Sequence, residues 1–247
     1  AKTYIIEICK SHLFHGFLPA CHGDINTKLT FCCRSCHCIY MVRLHYPELA
    51  ECVSTTVSPM CAVSRLIKAK DPEAVTVFIG PCMAKKSEAA DKSIENNADY
   101  VLTFGEAIEM LRGKEVELEP AEETKQEGSV FGKRFGNGGG VTNAVIECFK
   151  ERGESADVKV ARCSGAAEVK KALLLLKVGR LPEDFIEGMM CQGGCVGGPS
   201  NMKQEMAFKK DRDAVIAKAD DRGVWENLKN YDMDSFSMHR SYEKPEA

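Results

Sequence analysis

The residues of this chain best suited to chemistry are cysteines. They stand among small or polar neighbours in Thr30-Phe-Cys-Cys-Arg34, Gly80-Pro-Cys-Met-Ala-Lys-Lys-Ser-Glu88 and Met190-Cys-Gln-Gly-Gly-Cys-Val-Gly-Gly198. Cys33, Cys82, Cys191 and Cys195 can together supply four thiolates, the ligand set of a cubane [4Fe–4S] cluster. Cys191 and Cys195, four positions apart, can face one side if their segment begins a helix. Gly193, Gly194, Gly197 and Gly198 let a bulky group approach the backbone there, and free N–H groups at such a turn can hydrogen-bond sulfide or a diatomic anion. Lys85 follows Cys82 by three residues, on the same helical face. An ammonium in that place is stabilised by an anionic metal centre and donates hydrogen bonds to it, whereas Lys86 reads as part of a solvated face.

The chain holds 13 cysteines, an odd number, and Cys32, Cys33, Cys36 and Cys38 crowd into seven residues. That clustering favours metal ligation in a reducing compartment over a disulfide framework. Cys9, Cys21, Cys36, Cys38 and Cys52 have two open readings. One is a second cluster or a zinc, held together with His12, His15, His22 or His37; the other is free buried thiols beside surface histidines. Cys61, Cys148 and Cys163 lie in apolar or helical stretches and read as core.

These segments need elements to position them, and the pattern is alternating α/β. Val75-Thr-Val-Phe-Ile79 reads as a buried strand, broken by Gly80-Pro81 ahead of a helix from Ala84 to Ala90, so Cys82 falls at a strand-to-helix turn. Residues 99–104 read as a strand followed by a helix from Gly105, and 115–127 as an exposed acidic loop. Gly136–Cys148 runs from a glycine-rich turn into an amphipathic helix. A strand at Val158–Arg162, a helix from Ala166 to Lys177 and a last strand at Phe185–Met190 complete the series. The predicted fold is α/β, two lobes of mainly parallel sheet flanked by helices (about 1–95 and 96–200) with the metal cluster between them. Ligands of such sheets gather at the carboxyl ends of strands, where Cys82 and Cys191 fall. Residues 201–247 read as a charged extension, a helix from about Glu205 to Lys218 and then a polar tail. Gly136–Gly140 completes neither a P-loop nor a dinucleotide fingerprint, so a tight helix entry is the preferred reading over a phosphate site.

With 44% hydrophobic residues and a net charge of -3, the chain has the make-up of a globular enzyme-sized unit, not of a nucleic-acid or polybasic membrane binder. No apolar run approaches the roughly 18–20 residues of a membrane span, and the first residues lack a signal-peptide build.

Taken in order, the three cysteine segments resemble the catalytic domain of the [FeFe]-hydrogenases. Tyr46-Pro-Glu-Leu49 and Ser54-Thr-Thr-Val-Ser-Pro59 follow the first segment as in that family, and Phe78–Glu88 is similar to its second motif. Asp184–Cys195 is similar to the third, and Asp99-Tyr-Val-Leu-Thr103 matches a family strand. The resemblance implies an H-cluster, a [4Fe–4S] cubane joined through a cysteine sulfur to a diiron subsite carrying CO, CN and a bridging dithiolate, and an iron hydrogenase interconverting H2 with protons and electrons. It makes Cys33, Cys82, Cys191 and Cys195 the cubane ligands, with Cys195 bridging. Cys32 becomes the proton-passing thiol, Lys85 the cyanide-binding lysine and Ser54 a hydroxyl on the proton route. Met189 packs beside the diiron unit, and Pro81 and Gly194 line the cofactor.

The first segment departs from the family's pattern at Phe31 and Arg34, which leaves Cys36 as the alternative ligand. Gly80 stands where the family commonly has methionine. The implied partners are a ferredoxin or an electron-transfer subunit and the proteins that mature the diiron site, in a cytoplasmic or other reducing, anaerobic compartment. The chain is expected to be a fragment, a minimal variant or one part of a larger enzyme, since the resemblance begins late in the family's length. Two alternatives stay open: a sensory or regulatory homologue with low turnover, and a hydrogenase-like iron–sulfur assembly protein without a diiron site.

Overall fold

The computed structural model describes residues 3–7, 30–32, 36–117, 129–155, 157–202, 205–219 and 222–240. Cys33 and most of the acidic stretch 115–127 lie outside these.

Two three-stranded parallel sheets form the frame. β1 (Thr3–Glu7), β3 (Val75–Ile79) and β4 (Tyr100–Leu102) make the first, in the order β1-β3-β4. β2 (Thr30–Cys32), β6 (Phe185–Met189) and β5 (Val160–Ser164) make the second, in the order β2-β6-β5. The alternating strand-and-helix expectation holds, because parallel neighbours need a crossover that a helix provides. The division of the chain differs from the expected lobes. β2 belongs to the second sheet and β4 to the first, so a boundary near residue 95 would separate β4 from its own sheet.

Helices cover the sheets in the order of the sequence. α1 (Cys36–His45) and α2 (Pro59–Lys70) precede β3, and α3 (Ala84–Ala90) follows it. α2 starts with Ser58, whose hydroxyl accepts from the Cys61 N–H, and with Pro59 in the first turn, where a missing N–H costs nothing. Its Met60 packs with Phe78 of β3 and Ala98, and Ser64 hydrogen-bonds Thr76 at 2.9 Å inside that core. The second sheet buries Ile186 against Cys38 and Val42 of α1 and against Val169, Leu173 and Leu176 of a helix at Ala166–Lys177. Cys38 is buried and disulfide-bonded, so it is neither the free thiol nor the metal ligand considered from the sequence.

α4 (Phe104–Gly113) opens with a reciprocal capping box, Thr103 accepting from the Glu106 N–H while Glu106 accepts from the Thr103 N–H. The Lys86 ammonium, with the N–H and hydroxyl of Thr103, holds the Glu106 carboxyl down from 4.5 to about 2. A depressed folded-state value contributes stability that is complete above the unfolded value and is lost as the pH falls through the folded one. We expect Glu106→Gln to lower the urea midpoint at about pH 6, and the gap to the parent to close as the pH falls from 4.5 towards 2.

After α5 (Val130–Lys133), α6 (Gly140–Glu151) and α7 (Ala166–Lys177), the chain forms α8 (Glu205–Ala217) and α9 (Val224–Leu228). Within the expected polar tail, residues 231–239 are in fact packed. Tyr231, Met233, Phe236 and Met238 join Val57, Cys61 and Leu66 in one cluster, the Val57 N–H donates to Met238 O, and Arg65 donates to the carbonyls of Ser237 and His239. Among the described residues no helix is long and apolar enough to cross a membrane.

Candidate metal centre

Cys82 follows the carboxyl end of β3 through Gly80-Pro81, and Cys191 follows that of β6 through Met190. The two sheets thus deliver one cysteine segment each, and the third segment is fastened to the second. Pro81 O accepts from the Ser200 N–H at 3.4 Å, and a Cβ on Gly198 would stand 2.7 Å from that same oxygen. Bulk at Gly198 would therefore push the two segments apart.

The glycine-rich turn before α6 forms a third wall. The Cys195 N–H donates to Gly136 O at 2.7 Å, and Asn137 forms an antiparallel bridge with Gly194. A Cβ on Gly136 would lie 3.6 Å from Cys195 Cβ and 3.9 Å from its Sγ. Gly194 has φ 93° and ψ -156°, a conformation open essentially to glycine alone, and its Cβ would sit 2.2 Å from Gly136 O. We expect Gly194→Ala to destabilise the apoprotein by about 1–3 kcal/mol in urea unfolding and to lower the iron it retains after reconstitution.

The thiols of Cys82, Cys191 and Cys195 lie within electrostatic reach of one another. Burial pushes the Cys195 thiol up to about 11, Cys82 adds to the rise, and the Lys85 ammonium opposes it. Burial also raises Cys191, with a further contribution from Cys82. Among the described residues no three Cys, His, Asp or Glu side chains converge on a single ion. A cubane does not ask for that convergence, because each of its thiolates binds a different corner iron. The donor set and the glycine-lined cradle fit such a cluster.

Lys85 is 9% exposed and forms an ion pair with Glu88 three residues on, itself buried. The expectation of a buried Lys85 holds in geometry, and Lys86 instead pairs with Glu106 nearer the surface. Sequence reasoning quoted Glu88 but gave it no role. Its signal was the i, i+3 spacing from a lysine that needed a buried partner.

Cys32 closes β2 directly opposite Glu187 in the register. Cys36 begins α1. Met189 ends β6 and packs against the cluster of Phe135 and Phe185, next to the Gly136 turn. Ser54 exchanges hydrogen bonds with Thr56, which in turn bridges to His239.

Glu187 was also missed. It is 1% exposed, and its carboxylate accepts from the N–H groups of Gly139, Val141 and Thr142 at 3.0, 3.4 and 3.1 Å and from the Thr142 hydroxyl. The start of α6, a natural anion site, is thus filled by the protein's own carboxylate. That explains a glycine-rich helix entry without a phosphate.

Residues 18–199 match the family model described as iron only hydrogenase large subunit, C-terminal domain. The chain belongs to that family. It is 30% identical to the periplasmic [Fe] hydrogenase large subunit of Nitratidesulfovibrio vulgaris, over 62% of this chain and 47% of that protein. With iron hydrogenase 1 of Clostridium pasteurianum it shares 27% identity, over 72% of this chain and 39% of that protein. The cytosolic Fe-S cluster assembly factor narfl of Xenopus tropicalis is 24% identical, over 70% of this chain and 46% of that protein. The chain therefore spans less than half the length of these curated relatives. In fold it is similar to the [FeFe]-hydrogenase HydA1 from Chlamydomonas reinhardtii, with a TM-score of 0.58 at 20% identity, covering 96% of this chain and 75% of that one. The structure of HydA(deltaEFG) aligns with a TM-score of 0.63 at 20% identity, covering 89% of this chain and 74% of that one.

Proposed function

We propose that in this iron-only hydrogenase domain Cys33, Cys82, Cys191 and Cys195 would hold a [4Fe–4S] cubane, that Cys195 would also serve an attached diiron group, and that the domain interconverts H2 with protons and electrons. The observation that carries the reading is the meeting of Cys82, Cys191 and Cys195 from the ends of two separate sheets, with the buried Lys85 within reach of Cys195. When bound, the diiron group supplies the H2-splitting chemistry, and the protein's part is binding, orientation and proton movement.

Each residue then has a task. Burial raises the Cys191 and Cys195 thiols in the empty protein, and coordination would supply the positive charge that thiolates need there. Lys85, buried and ion-paired with Glu88, would be the residue that donates to an anionic cyanide of the diiron group. The Cys32 thiol takes a proton near that subsite and hands it on, with the Ser54 hydroxyl further along the route. Met189, Pro81 and Gly194 shape the wall around the group. The cubane, when bound, would supply the electron path to a ferredoxin or a partner subunit.

The test is infrared spectroscopy of protein matured anaerobically with a diiron precursor. Carbonyl and cyanide bands, followed by H2 turnover that Cys32→Ala abolishes while the bands persist, are the expected result. The assembly-factor relatives favour a second reading, a cubane protein without the diiron subsite. Full iron with no carbonyl or cyanide bands would decide for it. Bands with very slow turnover would mark a sensory homologue.

A further inference from the structure

A cavity of about 430 Å³ lies where α2, the turn after α3 and the packed segment 235–240 meet, lined among others by Arg65, Lys68, Glu95, Ser237, His239 and Arg240. None of the cysteines of the metal centre lines it, and the wall at 235–240 falls beyond residues 18–199, which match the family model.

Arg65 decides its character. It is 8% exposed, and a guanidinium so buried is ordinarily matched by a carboxylate. Among the described residues none pairs with it. Nε donates to Glu95 O at 3.0 Å, and Nη1 donates to the carbonyls of Ser237 and His239. Nη2 makes no hydrogen bond and is not sealed in by protein, so its two N–H groups open onto the cavity. Lys68 spends two Nζ hydrogens on Asn97 O and Asp99, at 2.9 and 2.8 Å, and retains the third. Ser237 Oγ accepts from the His239 N–H at 3.1 Å, which leaves the hydroxyl hydrogen to donate. Asp99 offsets Lys68 and the exposed Glu95 offsets one further charge, so with Arg65 and Arg240 both cationic the surroundings stay net positive.

The kind of anion follows from the nitrogens left over. A carboxylate is best met by two coplanar nitrogens of one guanidinium, and Arg65 has committed two of its three to carbonyls. Single donors converging from α2 and from segment 235–240 suit an anion whose oxygens point several ways. The cavity is of the size that holds a small organic ligand and not an inorganic ion alone.

We propose that this cavity binds the phosphate group of a small phosphorylated molecule, with Arg65 Nη2, Lys68 and Ser237 as its donors. Occupation ties α2 to segment 235–240, whose Met238 and Arg240 already hydrogen-bond the main chain of Val57 and Thr55.

The proposal is independent of the cluster, and the full chain without iron serves to test it. Isothermal titration calorimetry at constant ionic strength with inorganic phosphate should show saturable binding of one ion per chain, and glycerol phosphate should bind at least as tightly. Arg65→Gln should abolish both. Because that change also cuts three ties to carbonyls, Ser237→Asp is the second variant: it keeps an acceptor for the His239 N–H, adds a negative charge at the cavity, and should weaken both probes roughly tenfold or more. Arg112→Gln, which removes an exposed cation on α4, should bind like the parent. No saturable binding of either probe up to about 10 mM overturns the proposal, as does a Ser237→Asp chain that binds like the parent. Equal weakening in Arg112→Gln overturns it too, since the binding would then belong to surface charge in general. Acetate bound more tightly than phosphate, or glycerol phosphate excluded while phosphate binds, overturns the ligand class.

Discussion

Cys195→Ser protein, reconstituted anaerobically, is expected to retain less than about one iron per chain where the parent retains about four. The size of the effect follows from where Cys195 stands. Its N–H is tied to Gly136, its thiol lies within reach of Cys82, Cys191 and Lys85, and it directly follows Gly194, which bridges to Asn137. Serine fits the space and leaves the loop intact, so the apoprotein should unfold within about 0.5–1 kcal/mol of the parent. What is lost is a soft sulfur donor, which a serine hydroxyl does not replace. Cys148→Ser is the control. Burial, with Glu151 and Glu147 adding, pushes that thiol up, and it packs with Phe149 and Val224 away from the cradle, so its iron content should equal that of the parent. Iron quantitation with the visible absorption spectrum reads both variants, and a Cys195→Ser chain with a full, unaltered cluster would end the assignment.

Glu187→Leu should cost the apoprotein about 4 kcal/mol in urea unfolding, a large part of the stability of an ordinary domain. Four donors converge on this carboxylate from the first turn of α6 and the residue before it. Leucine matches the surrounding apolarity but leaves three N–H groups and a hydroxyl with no acceptor, and it removes the negative charge at the positive end of the helix. Part of the loss is returned because a buried charge no longer has to be desolvated. Glu187→Gln keeps the shape and one acceptor, so about 1–2 kcal/mol is expected there. A leucine variant as stable as the parent would mean that the start of α6 is satisfied by something other than this carboxylate.

How much of this was legible in the sequence depended on whether the signal was local. Val75–Ile79 and Ala84–Ala90 were read with their true ends, because an apolar run, a Gly-Pro break and an alanine-rich segment lie side by side. The strand expected at 158–162 pairs from Val160 to Ser164 instead. Val158 is apolar and packs near Phe135, so composition alone could not show where the ladder begins. β2 is three residues long and takes its stability from β6, a partner that no window around Thr30 contains. The packed C-terminal segment was invisible for a similar reason. Tyr231, Met233, Phe236 and Met238 are spaced by polar residues without one sustained period, and distant residues, Val57, Ile94 and those of α2, give them a place.

The site divides along the same line. Cysteine spacing and glycine density marked Cys82, Cys191 and Cys195, and the structure brings those segments together. Glu88 and Glu187 escaped because a carboxylate in sequence counts as surface until its donors are known. For Glu187 those donors lie far upstream, in a segment whose glycines suggested an external anion.

The pairing of β2 with β6 bears on how the protein is made. Thr30 meets Phe185 across more than half of the chain, and the last two thiols follow β6. Closing so long a loop is entropically slow, and among the described residues β2 has no strand beside it other than β6. A cluster site built on these thiols would therefore be complete only once β6 and the segment behind it have been made, with metal insertion following that step.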